Sequence, residues 1–407
     1  MPPHPGRCLV RPAGHGAGGL SPTVPATPGG AEGTALAAGQ GDALGRYRAK
    51  RDFEVTPEPS PEDAPRPPAG APRFVVQEHH ARAMHWDFRL ERDGVLVSWA
   101  VPKGVPPDPA VNHLAVPTED HPLSYVDFEG DIPQGEYGGG HVSVWDAGTY
   151  ETVKWSGSEV MVVLHGRRVQ GRYVLFRTGE KAWMIHRMDP PQDPDRRPLP
   201  ERVSPMLATP GPLPGGGEWA YEVLWSGARV MARGEGGRVA LHDAGGDEVS
   251  ATWPELRALG RALGSHEVWL DGVVTVLDAE GRPDAGATRP RAAAGTGGGA
   301  TRRAGTGPPA TYLVFDVVHL DGRDLAGLAY GERRRRLDDL GLAAGAAWAV
   351  PAPHVGEGAA FAAVVAARGL PGVVAKRLDS PYRAGTTTDW VVVRAGDGGP
   401  AGARATA

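Results

Sequence analysis

The chain has 407 residues, room for two domains of ordinary size, yet its 59 glycines and 40 prolines exceed what two compact domains use. A single cysteine, Cys8, excludes an intramolecular disulfide and a cysteine zinc site, and no apolar run nears the roughly 18 residues of a membrane span. A formal net charge of −5 argues against a long duplex-coating surface while leaving room for a small basic pocket that grips a strand end. In chain order, residues 1–45 are Gly/Pro/Ala-rich, are expected to be disordered, and lack the apolar core of a signal peptide; with the cysteine usage this fits a reducing cytoplasm. Residues 46–72 start basic (Arg46, Arg48, Lys50, Arg51) and turn into a Pro/Glu linker. Short alternating strands are predicted at 73–77, 85–91, 95–101, 113–117, 141–146, 160–165, 172–177 and 183–186, with Asp93-Gly94 as a hairpin signal. This spacing predicts an antiparallel barrel or sandwich over 46–190. Residues 191–217 read as a Pro/Gly linker, and 218–395 alternate strands and helices as an α+β domain, with a surface insertion at 286–310 and a loose tail at 396–407.

One stretch carries chemistry. Read with a period of two, His85, Asp87 and Arg89 share one strand face, and Trp86, Phe88 and Leu90 share the other. His79 and Gln77 lie just upstream. Two histidines and an aspartate make a ligand set for a divalent transition metal, and the neighbouring arginine suits a phosphate. Together they suggest phosphoester chemistry. A cross-strand charge ladder on a solvated face gives the same row, and the residues alone leave both readings open. His80 is expected to be exposed, and His141, His165 and His186 to be structural.

The motifs extend well beyond that strand. They are Tyr47-Arg48-Ala49-Lys50-Arg51-Asp52-Phe53, His79 with His85-Trp86-Asp87-Phe88-Arg89-Leu90-Glu91, and Ser98-Trp99-Ala100-Val101-Pro102-Lys103-Gly104. Next come Leu114-Ala115-Val116, Thr118-Glu119-Asp120-His121-Pro122-Leu123, Ile132-Pro133-Gln134-Gly135-Glu136-Tyr137-Gly138 and Trp183-Met184-Ile185-His186-Arg187-Met188. In this order and spacing they resemble the 3'-phosphoesterase domain of bacterial ligase D, an end-joining repair enzyme, over about residues 45–190. The resemblance implies a manganese-dependent enzyme that removes a 3'-terminal ribonucleoside and then the remaining 3' phosphate. It implies that His79, His85 and Asp87 bind Mn²⁺, that Arg89 and His121 contact the phosphate, and that Tyr125, Gln77 and Lys103 support the site. Arg51, Asp52 and Glu58 match the family's N-terminal segment over the active site, although composition alone would leave Glu58 solvated. Mn²⁺ would polarise a phosphate oxygen, with Arg89 and a protonated His121 as positive donors. The general acid or base stays open. His113 stands where many relatives carry an arginine, so a phosphate contact there would be weaker and more pH-dependent.

The later stretches Trp219-Ala220-Tyr221-Glu222-Val223, Leu270-Asp271-Gly272, Tyr312-Leu313-Val314-Phe315-Asp316, Gly372-Val373-Val374-Ala375-Lys376-Arg377 and Ser380-Pro381-Tyr382-Arg383-Ala384-Gly385 resemble the adenylation domain of ATP-dependent DNA ligases. Those ligases form a covalent lysyl-AMP through Lys-x-Asp-Gly. Here Leu224 holds the lysine position and Ser226 the aspartate position, and leucine offers no nucleophile. Val273 and Pro371 replace two metal-holding carboxylates, Val392 and Arg394 replace two lysines, and the sequence ends at Ala407 without an oligonucleotide-binding-fold domain. Arg229 and Lys376 remain for weak residual nucleotide binding, and ATP is not expected as a cofactor.

The resulting expectation is a multidomain protein: a mainly antiparallel β-barrel phosphoesterase domain plus an α+β nucleotidyltransferase, ligase adenylation-like domain. It would process DNA 3' ends in double-strand break repair by end joining, in the cytoplasm, with Mn²⁺ or a similar divalent metal and an inactive ligase-like domain. A working ATP-dependent DNA ligase and a non-catalytic DNA-end scaffold are the alternatives. Partners are DNA 3' ends, with a Ku-like protein and a separate polymerase or ligase left open.

Overall fold

The computed structural model describes residues 43–63, 70–179, 182–295, 307–342, 345 and 347–395. The expectations for residues 1–42, for 296–306 of the insertion and for the tail at 396–407 lie outside the described residues, as does Cys8. No helix among the described residues is long and apolar enough to cross a membrane.

The first domain opens with α1 (Gly45–Arg48) and a 3-10 turn at Pro61–Asp63. Ten strands follow: β1 (Arg73–His80), β2 (His85–Arg92), β3 (Val95–Val101), β4 (Asn112–Pro117), β5 (His121–Pro122), β6 (Gly130–Ile132), β7 (Gly140–Trp155), β8 (Glu159–Gly166), β9 (Gln170–Arg177) and β10 (Trp183–Arg187). Eight of them pair antiparallel in the order β1-β2-β3-β4-β10-β9-β8-β7, and β7 returns to β1, closing a barrel. The predicted Asp93-Gly94 turn is present, with φ of 50° and 84°, both residues left-handed as the tight hairpin between β2 and β3 requires.

Alternation along β2 sorts its two faces. Trp86, Phe88 and Leu90 enter the barrel core with Phe74, Val76 and Trp99, each at most 3% exposed. Burying a side chain of this size contributes about 1.5–3 kcal/mol. The opposite face is covered by a second apolar cluster in which Tyr47 of α1 meets Val75, Leu96, Leu123, Tyr125 and Phe128. Residues 46–63 therefore do not form a free linker. Tyr47 is fully buried, and its hydroxyl donates to the Pro59 carbonyl (2.8 Å), which ties the segment down.

The second domain holds β11 (Met206–Pro210), β12 (Trp219–Val223), β13 (Ala228–Glu235), β14 (Arg238–Asp243), α2 (Arg257–Leu263), β15 (Val268–Val276), α3 (Ala285–Gly295), β16 (Ala310–Leu320), β17 (Arg323–Asp324), α4 (Tyr330–Asp339), β18 (Trp348–Ala349), β19 (His354–Val355), α5 (Gly358–Ala367), β20 (Gly372–Arg377) and β21 (Gly385–Arg394). Its two sheets run β11-β21-β20-β12-β19 and β14-β13-β15-β16-β17, mostly antiparallel, with parallel pairs at β11–β21 and β16–β18.

Two segments differ from expectation. The stretch 191–217, read as linker, contains β11, because Met206 is fully buried and its N–H is capped by the Tyr382 hydroxyl (2.9 Å). The start of the expected insertion at 286–310 is helical in α3, anchored by Arg291, whose guanidinium bonds the Thr252 carbonyl (2.9 Å) and Glu255 (2.6 Å). A break at 224–227 sends β12 and β13 into different sheets. Gly227 is required there, since a Cβ would lie 2.3 Å from the Val274 carbonyl oxygen.

Candidate metal centre and phosphate cleft

Register brings the metal donors together. β1 and β2 pair so that His79 faces His85 and Gln77 faces Asp87. One potential ligand atom from each of His79, His85 and Asp87 lies within 4.8 Å of the other two. The histidine tautomers follow from their outer contacts. His79 Nε2–H donates to the Gly138 carbonyl (2.7 Å), leaving the Nδ1 lone pair 3.4 Å from Asp87 Oδ2. His85 Nδ1–H donates to the Ala83 carbonyl (2.9 Å), leaving Nε2 3.7 Å from Asp87 Oδ1. Backbone carbonyls that hold the far nitrogen are the usual outer shell of a metal-binding histidine. Donors about 2.1 Å from one ion at a tetrahedral angle would stand about 3.4 Å apart, close to the two His–Asp separations of 3.4 and 3.7 Å. Burial by itself would raise the Asp87 carboxyl, but the Arg89 charge and the two histidines outweigh it and hold it well below the usual range. Asp87 is thus ionised at any ordinary pH.

The phosphate half lies beside this trio. Arg89 is fixed on all sides: Nε donates to Gln77 Oε1 (2.8 Å), Nη1 donates to Ser98 Oγ (2.9 Å), and Nη2 sits 3.0 Å from Asp87 Oδ2. Gln77 is itself fully buried and bonds the carbonyls of Tyr125 (3.1 Å) and Phe128 (2.9 Å). Arg51 arrives from the N-terminal segment. Its guanidinium pairs with Glu58 (2.8 Å) and Glu119 (3.1 Å), and Nη2 lies 3.3 Å from His121 Nε2. Glu58 also accepts from the Tyr125 hydroxyl (2.8 Å) and is 4% exposed, so the solvated position that composition suggested does not occur. Arg51 and Tyr125 supply the partners that make its burial tolerable.

His121 corrects another expectation. Burial, followed by the charges of Arg89 and Arg51 on either side, holds the ring well below the ordinary histidine range. It is therefore neutral near pH 7, not the protonated donor anticipated. Its Nδ1 lies 2.8 Å from both the Glu119 carbonyl oxygen and Arg89 Nη1, and its Nε2 lies 3.3 Å from Arg51 Nη2. The two guanidiniums carry the positive charge of the cleft.

Three expected residues are not brought there. Lys103 extends to Glu235 on β13 (3.2 Å) and does not line the cleft. His113 is buried with Nδ1 on the Gly104 carbonyl (2.7 Å), away from the cleft, and burial lowers its pKa. Asp52 is exposed and shapes a turn, accepting from the Glu54 N–H (3.1 Å). Conversely, Glu119, Ser98, Lys50 and Tyr137 belong to the site although no role was assigned to them. The motif runs around Glu119, Ser98 and Tyr137 were the available signal. Of the remaining histidines, His80 is half-buried against Glu78 (2.7 Å), while His141, His165 and His186 pair with Asp131, Glu151 and Asn112.

The cleft between these groups holds about 220 Å³. That is below the roughly 300 Å³ at which pockets for drug-sized ligands begin, and suits a phosphoryl group more than a whole nucleotide.

In the second domain the surviving cations are engaged internally. Lys376 is 1% exposed, lies 2.8 Å from Glu222 Oε2, and is enclosed by the rings of Phe315, Trp390 and Tyr330 at 4.0, 4.3 and 5.0 Å. Arg229 forms a two-pronged pair with Asp271, both contacts 2.6 Å, and Asp271 also accepts from the Tyr382 hydroxyl (2.6 Å). Leu224, at the expected nucleophile position, hydrogen-bonds through its backbone N–H to the Gly372 carbonyl (2.8 Å).

Comparison with known proteins agrees with this division. Residues 77–177 match the family described as DNA ligase D 3'-phosphoesterase domain, and residues 205–393 match the ATP dependent DNA ligase domain. The multifunctional non-homologous end joining protein LigD of Mycobacterium bovis is 44% identical over 357 residues, covering 86% of this chain and 45% of its own length. The protein of that name from Pseudomonas aeruginosa is 36% identical over 409 residues, covering 86% of this chain and 47% of its own length. The chain thus spans about half the length of these relatives. The solved ligase domain of M. tuberculosis LigD shares 34% identity over 48% of this chain and 61% of that one, with a TM-score of 0.41. From the barrel with its His-His-Asp trio through the two-sheet domain that follows, the chain is a ligase D-type 3'-phosphoesterase domain followed by an ATP-dependent DNA ligase-type domain, similar to the LigD proteins over the part that they share.

Proposed function

We propose that this protein is a Mn²⁺-dependent phosphoesterase that removes 3' phosphates and 3'-terminal ribonucleosides from DNA ends during end-joining repair in the cytoplasm, and that its ligase-type domain does not ligate. The observation that carries the reading is the trio of His79 Nδ1, His85 Nε2 and the Asp87 carboxylate, oriented by backbone carbonyls and set beside Arg89. A divalent ion held there would polarise a phosphate oxygen as a Lewis acid. The chain's own residues would do the rest. Arg89 and Arg51 place fixed positive charge where charge builds on the phosphoryl oxygens. Gln77, Ser98, Glu58 and Glu119 hold those guanidiniums so that little reorganisation is needed. His121 enters neutral, and so as a hydrogen-bond partner or proton acceptor instead of a cation.

Against ligation stand Leu224, which has no nucleophilic atom, and Lys376, which is buried against Glu222. Incubation with labelled ATP should give no covalent adenylate; an adenylate would revive the ligase reading. The main test incubates the protein and His85→Ala with a primer-template ending in a 3' phosphate, with Mn²⁺ or with EDTA. Metal-dependent phosphate release by the wild type alone is expected. DNA binding without release would instead favour a scaffold.

A further inference from the structure

The cleft accommodates the phosphoryl group, so the terminal nucleobase must rest at its rim. Among the described residues lining the cleft, Tyr137 is the aromatic side chain left in the open, with half of its surface exposed. Tyr125 also lines the cleft, but it is buried and its hydroxyl is committed to Glu58. Tyr137 is also held in place. It sits in a turn closed by the Glu136 N–H to Pro133 carbonyl bond (3.2 Å) and the Gly139 N–H to Glu136 carbonyl bond (3.0 Å). Its neighbour Gly138 supplies the carbonyl that orients His79. Lys50 Nζ lies 4.0 Å from the ring centroid and 2.9 Å from the hydroxyl oxygen, so the ammonium covers one face near the phenolic end. The Arg51 guanidinium carbon lies 5.8 Å from the same centroid, and half of the Tyr137 surface stays open to a flat partner.

Resting on the phosphoesterase reading, we propose that the Tyr137 ring is the platform on which the 3'-terminal nucleobase stacks, and so a positioning residue for the strand end. Every base has a π face, so such a platform selects for the presence of a base and not for its identity. Because the same turn carries the Gly138 carbonyl, seating the base on Tyr137 registers the attached phosphate against His79 and the cleft behind it.

The test combines one spectroscopic and one kinetic measurement. A primer-template carries 2-aminopurine in its 3'-terminal nucleotide, whose fluorescence drops when the base stacks. Wild type and Tyr137→Phe, both with the ring, should quench it on binding; Tyr137→Ala should not, and Tyr137→Trp should restore it. In 3'-phosphate release, Tyr137→Ala should raise KM about tenfold, a typical cost of losing one base–aromatic stack, with kcat within about twofold. A primer ending in an abasic residue should raise the wild-type KM by about the same factor and leave that of Tyr137→Ala unchanged. Equal quenching by wild type and Tyr137→Ala would overturn the assignment, as would a Tyr137→Phe variant as impaired as Tyr137→Ala, which would place the role in the hydroxyl. Quenching without phosphate release would leave the platform standing and remove the phosphoesterase reading. Release with no effect of the base would do the reverse, and absence of both would remove the two together.

Discussion

Replacing His121 with glutamine and following stability against pH asks whether the imidazole is neutral in the fold. Glutamine keeps a donor and an acceptor but does not titrate. Above the unperturbed histidine pKa of 6.5 the wild-type ring is neutral in both the folded and the unfolded chain, and pH has no leverage through it. Below that value the unfolded chain takes up a proton that the folded one refuses, because burial and the Arg89 and Arg51 charges disfavour it. Stability is then lost as pH falls, at up to about 1.4 kcal/mol per pH unit. Between about pH 6.5 and pH 5.0 the wild type should lose stability relative to His121→Gln, by at most about 1.6 kcal/mol. Urea unfolding of both proteins by tryptophan fluorescence gives the two curves. Groups common to both, including His113 with its own lowered pKa, cancel in the difference. A difference that stays flat over that range would mean that His121 is protonated between the guanidiniums, and the account of the cleft's charge would be wrong.

Two other substitutions check the assignment of parts. Lys103→Ala should change kcat/KM for 3'-phosphate release by less than about twofold, well under the tenfold that marks loss of about 1.4 kcal/mol of transition-state stabilisation, because its ammonium lies at Glu235; a larger loss would mean that Lys103 leaves Glu235 for the phosphate. Arg333→Met strands the fully buried Asp316 carboxylate, whose pKa burial already raises, and should cost the second domain about 3–5 kcal/mol by thermal unfolding, with phosphate release intact.

The part of the fold readable from sequence is the part built by short-range pattern. Alternation placed His85, Asp87 and Arg89 opposite Trp86, Phe88 and Leu90, and the two positive-φ residues at 93 and 94 closed the hairpin as expected. Glu58 was hidden in a Pro-rich stretch because its burial depends on Tyr125, 67 residues away. β11 escaped notice for the same reason: its partner is β21, and the Thr209 hydroxyl bonds the Thr387 carbonyl across 178 residues. The charge state of His121 depends on Arg89 and Arg51, 32 and 70 residues distant. Lys103 was assigned by resemblance alone, and its position is set by Glu235, 132 residues on. Pattern reports which face a side chain takes; it is silent on which distant group meets it there.

The β1–β2 hairpin has a consequence for how the site comes into being. The three residues that could hold a metal lie on adjacent strands joined only by residues 81–84, so closing one short loop assembles them. The facing side of the cleft needs Arg51, Glu119 and His121 to converge across separations of 68 and 70 residues. Closing long loops costs more chain entropy and comes later in folding. The two sides of the cleft are therefore separable inheritances: His79, His85, Asp87 and Arg89 travel with a single hairpin, and the Arg51 side exists only when the barrel has gathered its N-terminal segment.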